Sequence, residues 1–91
     1  MELLPLGKIQ TYMSELKGWA LEGSAIMKEF SFVDFKASIE FLNKIAEIAE
    51  KHNHHPEMII NYGNVRLILT THEKKGLTEK DFELAKEIDT L

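Results

Sequence analysis

Three of the chain's four histidines fall within one stretch, EKHNHHPEM, which runs from Glu50 to Met58. His52, His54 and His55 stand there beside the carboxylate of Glu50 and the ring of Pro56. The fourth, His72, lies in LTTHEKKGLT, and Asp81 follows it by nine positions. Imidazole titrates near neutrality, donates and accepts protons, and ligates metals in its neutral form. Three readings therefore compete: solvated loop histidines, a metal site, and acid–base chemistry in which neighbouring carboxylates orient the rings. Adjacent histidines such as His54 and His55 project to opposite faces if extended, which hinders chelation by both. No metal ligand set and no cofactor are expected. His52 reads as an exposed side chain at a helix end.

The elements on either side must bring these residues together. In GKIQTYMSELKG, the apolar residues Ile9, Tyr12, Met13 and Leu16 recur at helical spacing, and Gly18 ends the pattern. WALEGSAIMKEF reads as two strands around a Gly23-Ser24 turn, where glycine takes the positive φ of a type II′ hairpin cheaply. FSFVDF opens the longest helix. Ser31 is expected as its cap, Asp34 as the second member of a capping box, and Phe30 with Phe35 as a hydrophobic staple. Phe35, Ile39, Leu42, Ala46 and Ala49 form the apolar stripe of this helix, which should reach about Lys51. PEMIINYGNVRLILTTH reads as a second hairpin turning at Gly63-Asn64. GLTEKDFELAKEID is the last helix, with a Thr78–Asp81 capping box stapled by Leu77 and Phe82. The order αββαββα implies an α+β fold, a four-stranded antiparallel sheet with three helices on one face.

The hairpin turn sets a register. With Gly63-Asn64 as the loop, Tyr62 faces Val65, Ile60 faces Leu67, Met58 faces Leu69, and the same count sets His55 opposite His72. A helix running a half-turn past Lys51 would set Glu50 beside His54, four residues on. The loop EKKGLTEK would carry Asp81 back toward the same end of the sheet. The structural reading of Asp81, as the third helical residue of a capping box, stands beside any chemical one. Trp19 and the phenylalanines read as core, and Lys74-Lys75 as a solvated turn.

Bulk composition narrows the classes. With 91 residues the chain fits one domain, spanning residues 1–91. There is no cysteine, which excludes a disulfide framework, a thiolate nucleophile and Cys-ligated metal. Eleven basic and fifteen acidic residues leave a net charge of −4, with the basic ones scattered, so no nucleic-acid footprint is expected. No apolar run approaches a membrane span, and MELLPLGKIQ lacks the pattern of a signal peptide. A cytoplasmic protein with no membrane partner is the expectation.

Read together, these motifs resemble one family. EKHNHHPE, then Tyr62 six residues after Pro56, then TTH and GLTEKD are similar to the pterin-4a-carbinolamine dehydratases. GWALEG, EFSFVDF and LAKEID extend the resemblance over nearly the whole chain. Met58 stands where some members have tryptophan, which bears on the pocket wall, and the N-terminal lead-in is short. The resemblance implies loss of water from 4a-hydroxytetrahydropterin to give the quinonoid dihydropterin, a step in tetrahydrobiopterin recycling after aromatic hydroxylation. It carries catalytic roles onto His54, His55 and His72, with Glu50, Asp81 and Pro56 as supporting or substrate-binding positions. His54 and His72 are the expected acid/base pair, and His55 is expected to hold the pterin. It also implies the family's four-stranded sheet with three helices, no cofactor, and a homodimer or homotetramer joined at sheet edges. Two alternatives come with the family: a dimerisation cofactor that binds a homeodomain transcription factor, and a dehydratase-like protein acting on another pterin in molybdenum-cofactor metabolism.

Overall fold

The computed structural model describes residues 1–91. In chain order the elements are α1 (Leu6–Ser14), β1 (Ala20–Glu22), β2 (Ala25–Ser31), α2 (Phe35–His52), β3 (Glu57–Asn61), β4 (Asn64–Leu69), a 3-10 turn (His72–Lys74) and α3 (Glu79–Ile88). The strands form one antiparallel sheet in the order β1-β2-β4-β3, as the αββαββα pattern implies. β4 alternates strictly: Val65, Leu67 and Leu69 are buried, while Asn64 and Arg66 are exposed. The buried row joins Ile26 of β2, Ile45 and Ile48 of α2, and Phe82, Leu84, Ala85 and Ile88 of α3 in one core, with Trp19 and Leu77 at its margins. Ile9, Tyr12 and Met13 of α1, and Leu16 just beyond its end, pack against that core, as their spacing predicts. The opposite face of the sheet carries no helix.

The first hairpin turns at Gly23-Ser24, with Glu22 paired to Ala25 and Gly23 at φ 58°. The second does not turn where the sequence suggests. Asn61 pairs with Asn64, Ile60 with Val65 and Met58 with Leu67, so the two-residue loop is Tyr62-Gly63. Tyr62 takes the left-handed conformation itself, at φ 54°. Gly63 serves a different need: a Cβ there would lie 2.3 Å from the carbonyl oxygen of Phe32. Its own carbonyl accepts the Phe32 N–H at 2.7 Å, so the hairpin tip seats directly on the β2–α2 connection.

α2 also begins later than expected. Ser31 ends β2, where it pairs with Asn64, and it is Asp34 that caps the helix by accepting the Ala37 N–H at 2.9 Å. The expected Ser31 cap and Phe30–Phe35 staple are therefore absent, and Phe35 is half exposed. The buried stripe of α2 is Ser38, Ile45, Ile48 and Ala49 with Phe41 and Leu42 half-buried, whereas Phe35 and Ala46 face outward. Phe41 packs between Phe30 and Phe32, with ring centroids 4.8 and 4.9 Å away. The Ser38 hydroxyl donates to the Tyr62 carbonyl at 2.8 Å and ties the start of α2 to the hairpin tip. At α3 the Thr78–Asp81 capping box is present, and Leu77 and Phe82 are both buried in the core. α1 is tied to α3 by the Tyr12 phenol, which donates to Glu79 at 2.7 Å; that bond holds the phenol's pKa above its ordinary value.

Candidate active site

α2 ends in a way that places His54. Asn53 takes the left-handed conformation at φ 50°, which asparagine adopts more readily than other side-chain-bearing residues. The His54 N–H then bonds back to the Ala49 carbonyl at 3.0 Å, and the Asn53 N–H to Glu50 at 3.1 Å. This is a Schellman closure, so the helix end itself fixes the backbone of His54. Pro56 biases the residue before it toward extended backbone, and β3 starts directly after it. His54 turns inward and is buried; His55 stays exposed.

Each imidazole on this segment meets a carboxylate. His54 Nε2 lies 2.6 Å from Asp81 Oδ1, with Asp81 fully buried. The other oxygen of Asp81 accepts the Thr78 N–H and the Thr71 hydroxyl, both at 2.9 Å. His55 Nε2 bonds Glu50, not His54 as the helical spacing suggests: α2 stops at His52, so the four-residue geometry does not continue. His52 is not a free side chain either. It is half-buried, and its Nε2 lies 2.7 Å from Glu87 of α3, whose carboxyl also pairs with Lys51. The hydrogen bond from His52, reinforced by the one from Lys51, holds the Glu87 carboxyl below its ordinary pKa.

His72 reaches the cluster by a different route from the one the strand register suggests. β4 ends at Leu69, and Thr71 forms an isolated bridge with Gly76. His72 then opens the 3-10 turn and has no ladder partner. His54, His55 and His72 nevertheless line one cavity of about 180 Å³, with Thr70, Glu73 and Lys80 also on its wall. Pro56 is half-buried beside the histidines but not on that wall. A larger hollow, of about 410 Å³, lies on the uncovered sheet face around Glu29 and Arg66. It contains no imidazole, and its two charged residues already pair with each other at 2.8 Å, so size does not decide which hollow is the site. The three imidazoles offer proton donors and acceptors at one opening. Nowhere do three His, Asp or Glu side chains gather in a group suited to hold a metal ion.

One participant escaped the sequence reading. Thr71 is fully buried and joins Asp81 to Thr78, 2.8 Å from the Thr78 hydroxyl. A signal for it exists: Thr71 continues the inward parity of Val65, Leu67 and Leu69, and a hydroxyl at a core position requires a partner.

The family profile described as pterin 4 alpha carbinolamine dehydratase matches residues 2–91. The chain belongs to the pterin-4a-carbinolamine dehydratase family. A relative from Sulfurisphaera tokodaii, which carries the provisional name pterin-4-alpha-carbinolamine dehydratase, is 46% identical over 91 residues, covering 100% of this chain and 98% of its own. A second, from Trichormus variabilis and provisionally named in the same way, is 44% identical over 90 residues, covering 99% and 97%. Among solved structures, a transcriptional coactivator/pterin dehydratase from Brucella melitensis superposes with a TM-score of 0.92 at 33% identity, over 98% of this chain and 97% of that one. A pterin dehydratase-like protein described as a RuBisCO assembly factor shares the fold alone, at a TM-score of 0.65 and 20% identity, over 79% of this chain and 83% of that one. The αββαββα order and the four-stranded sheet of this chain are thus those of the pterin-4a-carbinolamine dehydratase family.

Proposed function

We propose that this chain removes water from a 4a-hydroxytetrahydropterin to give the quinonoid dihydropterin, as a step in tetrahydrobiopterin recycling. The observation that carries the reading is the meeting of His54, His55 and His72 on one cavity wall, in a chain of this family. The reaction needs a proton delivered to the hydroxyl on C4a and a proton taken from a ring N–H. As the C4a–O bond breaks, water leaves and a C=N bond forms. Two imidazoles in opposite protonation states suffice for both transfers, and such groups typically contribute about 10²–10⁴-fold in rate. His54 and His72 fill these roles, and His55 holds the pterin. Asp81 orients His54 and Glu50 orients His55, each through a ring nitrogen. Pro56 sets the backbone on which His55 and β3 diverge.

Stopped-flow measurement of carbinolamine dehydration, with the uncatalysed rate subtracted, tests this reading. Saturable acceleration by the purified chain is expected. A rate no faster than the spontaneous one, from well-folded protein, would overturn it.

A homodimer or homotetramer goes with this function. β3 is an edge strand whose Met58 and Ile59 are exposed, with Tyr62 exposed at its end, and an uncovered apolar edge favours pairing with a further strand. Sedimentation equilibrium at micromolar protein should show a dimer or tetramer, and a fully active monomer would count against it.

A further inference from the structure

Thr71 neither lines the cavity nor hydrogen-bonds an imidazole, yet it is fully buried. Its hydroxyl lies 2.9 Å from Asp81 Oδ2, and the Thr78 N–H reaches the same oxygen at 2.9 Å. A backbone N–H can only donate, so this oxygen is an acceptor. With the Thr78 hydroxyl 2.8 Å from Thr71, the Thr71 proton is free to point at the carboxylate. Asp81 Oδ2 then accepts two bonds, the arrangement that favours the ionised carboxylate. An ionised carboxylate has no proton to give. The remaining oxygen, 2.6 Å from His54 Nε2, must therefore receive an N–H from the ring.

We propose that Thr71 is a positioning residue which, through Asp81, holds His54 as the tautomer protonated on Nε2 and leaves Nδ1 as the nitrogen that exchanges a proton in the cavity. Nδ1 makes no hydrogen bond, and no fully buried side-chain nitrogen or oxygen lacks a partner. Nδ1 is therefore not sealed in the core, and His54 lines the cavity. The other residues with titratable groups around that opening are Met1 with its α-amino group, His55 on the same segment, His72 and Glu73 on the 3-10 turn, and Lys80 on α3; none bonds either ring nitrogen of His54. The consequence for turnover rests on the dehydratase reading, while the tautomer itself does not.

Long-range proton–nitrogen NMR spectra of the full chain read the tautomer directly, with His54 assigned by the cross-peaks that His54→Gln lacks. Wild type should show a protonated Nε2 and a bare Nδ1 in its neutral form. Thr71→Val keeps the shape and removes one donor from Asp81. Asp81 Oδ2 is then held by the Thr78 N–H alone, and the tautomer protonated on Nδ1 should become visible beside the one protonated on Nε2. Thr71→Ser should restore the single wild-type tautomer. Asp81→Asn, whose amide can donate to Nε2, should move the proton to Nδ1, and it decides the matter if Thr71→Val fails to fold. In turnover, Thr71→Val should lower kcat severalfold with KM unchanged, and Thr71→Ser should again be like wild type. A wild-type ring protonated on Nδ1, or a Thr71→Val tautomer signal that coincides with wild type, overturns the proposal. If the nitrogen signals behave as expected but no dehydration occurs, the dehydratase reading falls and the positioning role stands.

Discussion

His54 and His55 each bond a carboxylate through Nε2, but the side chains of the first pair are 9% and 0% exposed and those of the second 57% and 76%. Neighbours in sequence thus hold two physically different devices. Around His55 and Glu50, water screens the charges and competes for the same bonds, so the pair adds little to stability and can open when a ligand arrives. The contact between His54 Nε2 and Asp81 is shielded from solvent. The carboxylate there is tolerable only because three donors converge on it, and its geometry is set before any substrate binds. One ring is built to stay and the other to yield.

The largest expected effect comes from breaking the buried device. Asp81→Ala leaves the Thr78 N–H and the His54 ring without a partner and takes one of two partners from the Thr71 hydroxyl, and removing one partner of a buried pair typically costs about 3–5 kcal/mol. Urea unfolding should show a loss of that order. A change under about 1 kcal/mol would mean that the pair is not the constraint described. Next come the two proposed proton carriers. His54→Ala and His72→Ala should each lower kcat roughly 10²-fold or more. Their combination should lose less than the product of the single losses, since groups acting as a unit are not additive. His72 has no hydrogen-bond partner through its ring, so its variant should unfold at the wild-type denaturant concentration. A well-folded His72→Ala with full rate would break the assignment.

Smaller effects sharpen the contrast from the exposed side. Glu50→Gln should alter stability by less than about 1 kcal/mol, and His55→Ala should raise KM at least as much as it lowers kcat. A stability loss for Glu50→Gln equal to that of Asp81→Ala would erase the difference between the pairs. The smallest effect belongs to the third pair, His52–Glu87, which lies away from the cavity. His52→Ala should turn over like wild type. Because folding lowers the Glu87 pKa, its contribution is present above the ordinary carboxyl value of 4.5 and fades as pH falls through the lowered one. The Tm gap between wild type and Glu87→Gln should therefore exist at neutral pH and close in acid. A gap independent of pH would contradict the cause assigned to the shift.

Local chemistry was legible in the sequence wherever one segment settled the outcome alone. Gly23 makes the first hairpin, Thr78 and Asp81 close the start of α3, and Ile9, Tyr12, Met13 and Leu16 find the core. What misled was long-range. Ser31 could cap a helix, but pairing with Asn64 draws it into β2, and the cap passes to Asp34. Gly63 looked like the residue needed for a positive φ, yet it is glycine because Phe32 leaves no room for a Cβ, and Tyr62 bears the left-handed turn. His72 was expected in the cluster and lines the same cavity, although the strand pairing assumed for it does not exist. A side-chain partner such as Glu50 for His55 depends on the residue at which a helix stops, and that point was set by the conformation of Asn53.

α2 is tied to a separate part of the fold at each of its ends. Its first turn holds the hairpin tip through Ser38, and its last turn delivers His54 through the Ala49 carbonyl. Each residue in a helix advances the axis by about 1.5 Å and turns it by about 100°. Deleting or inserting one residue between Ser38 and Ala49 would leave one end in place and swing the other a quarter-turn out of alignment. This helix is therefore a ruler of fixed length. Among functional members of such a fold, changes in chain length belong at the ends of the polypeptide or at the Gly23-Ser24 tip, and this span should admit substitution but not indels.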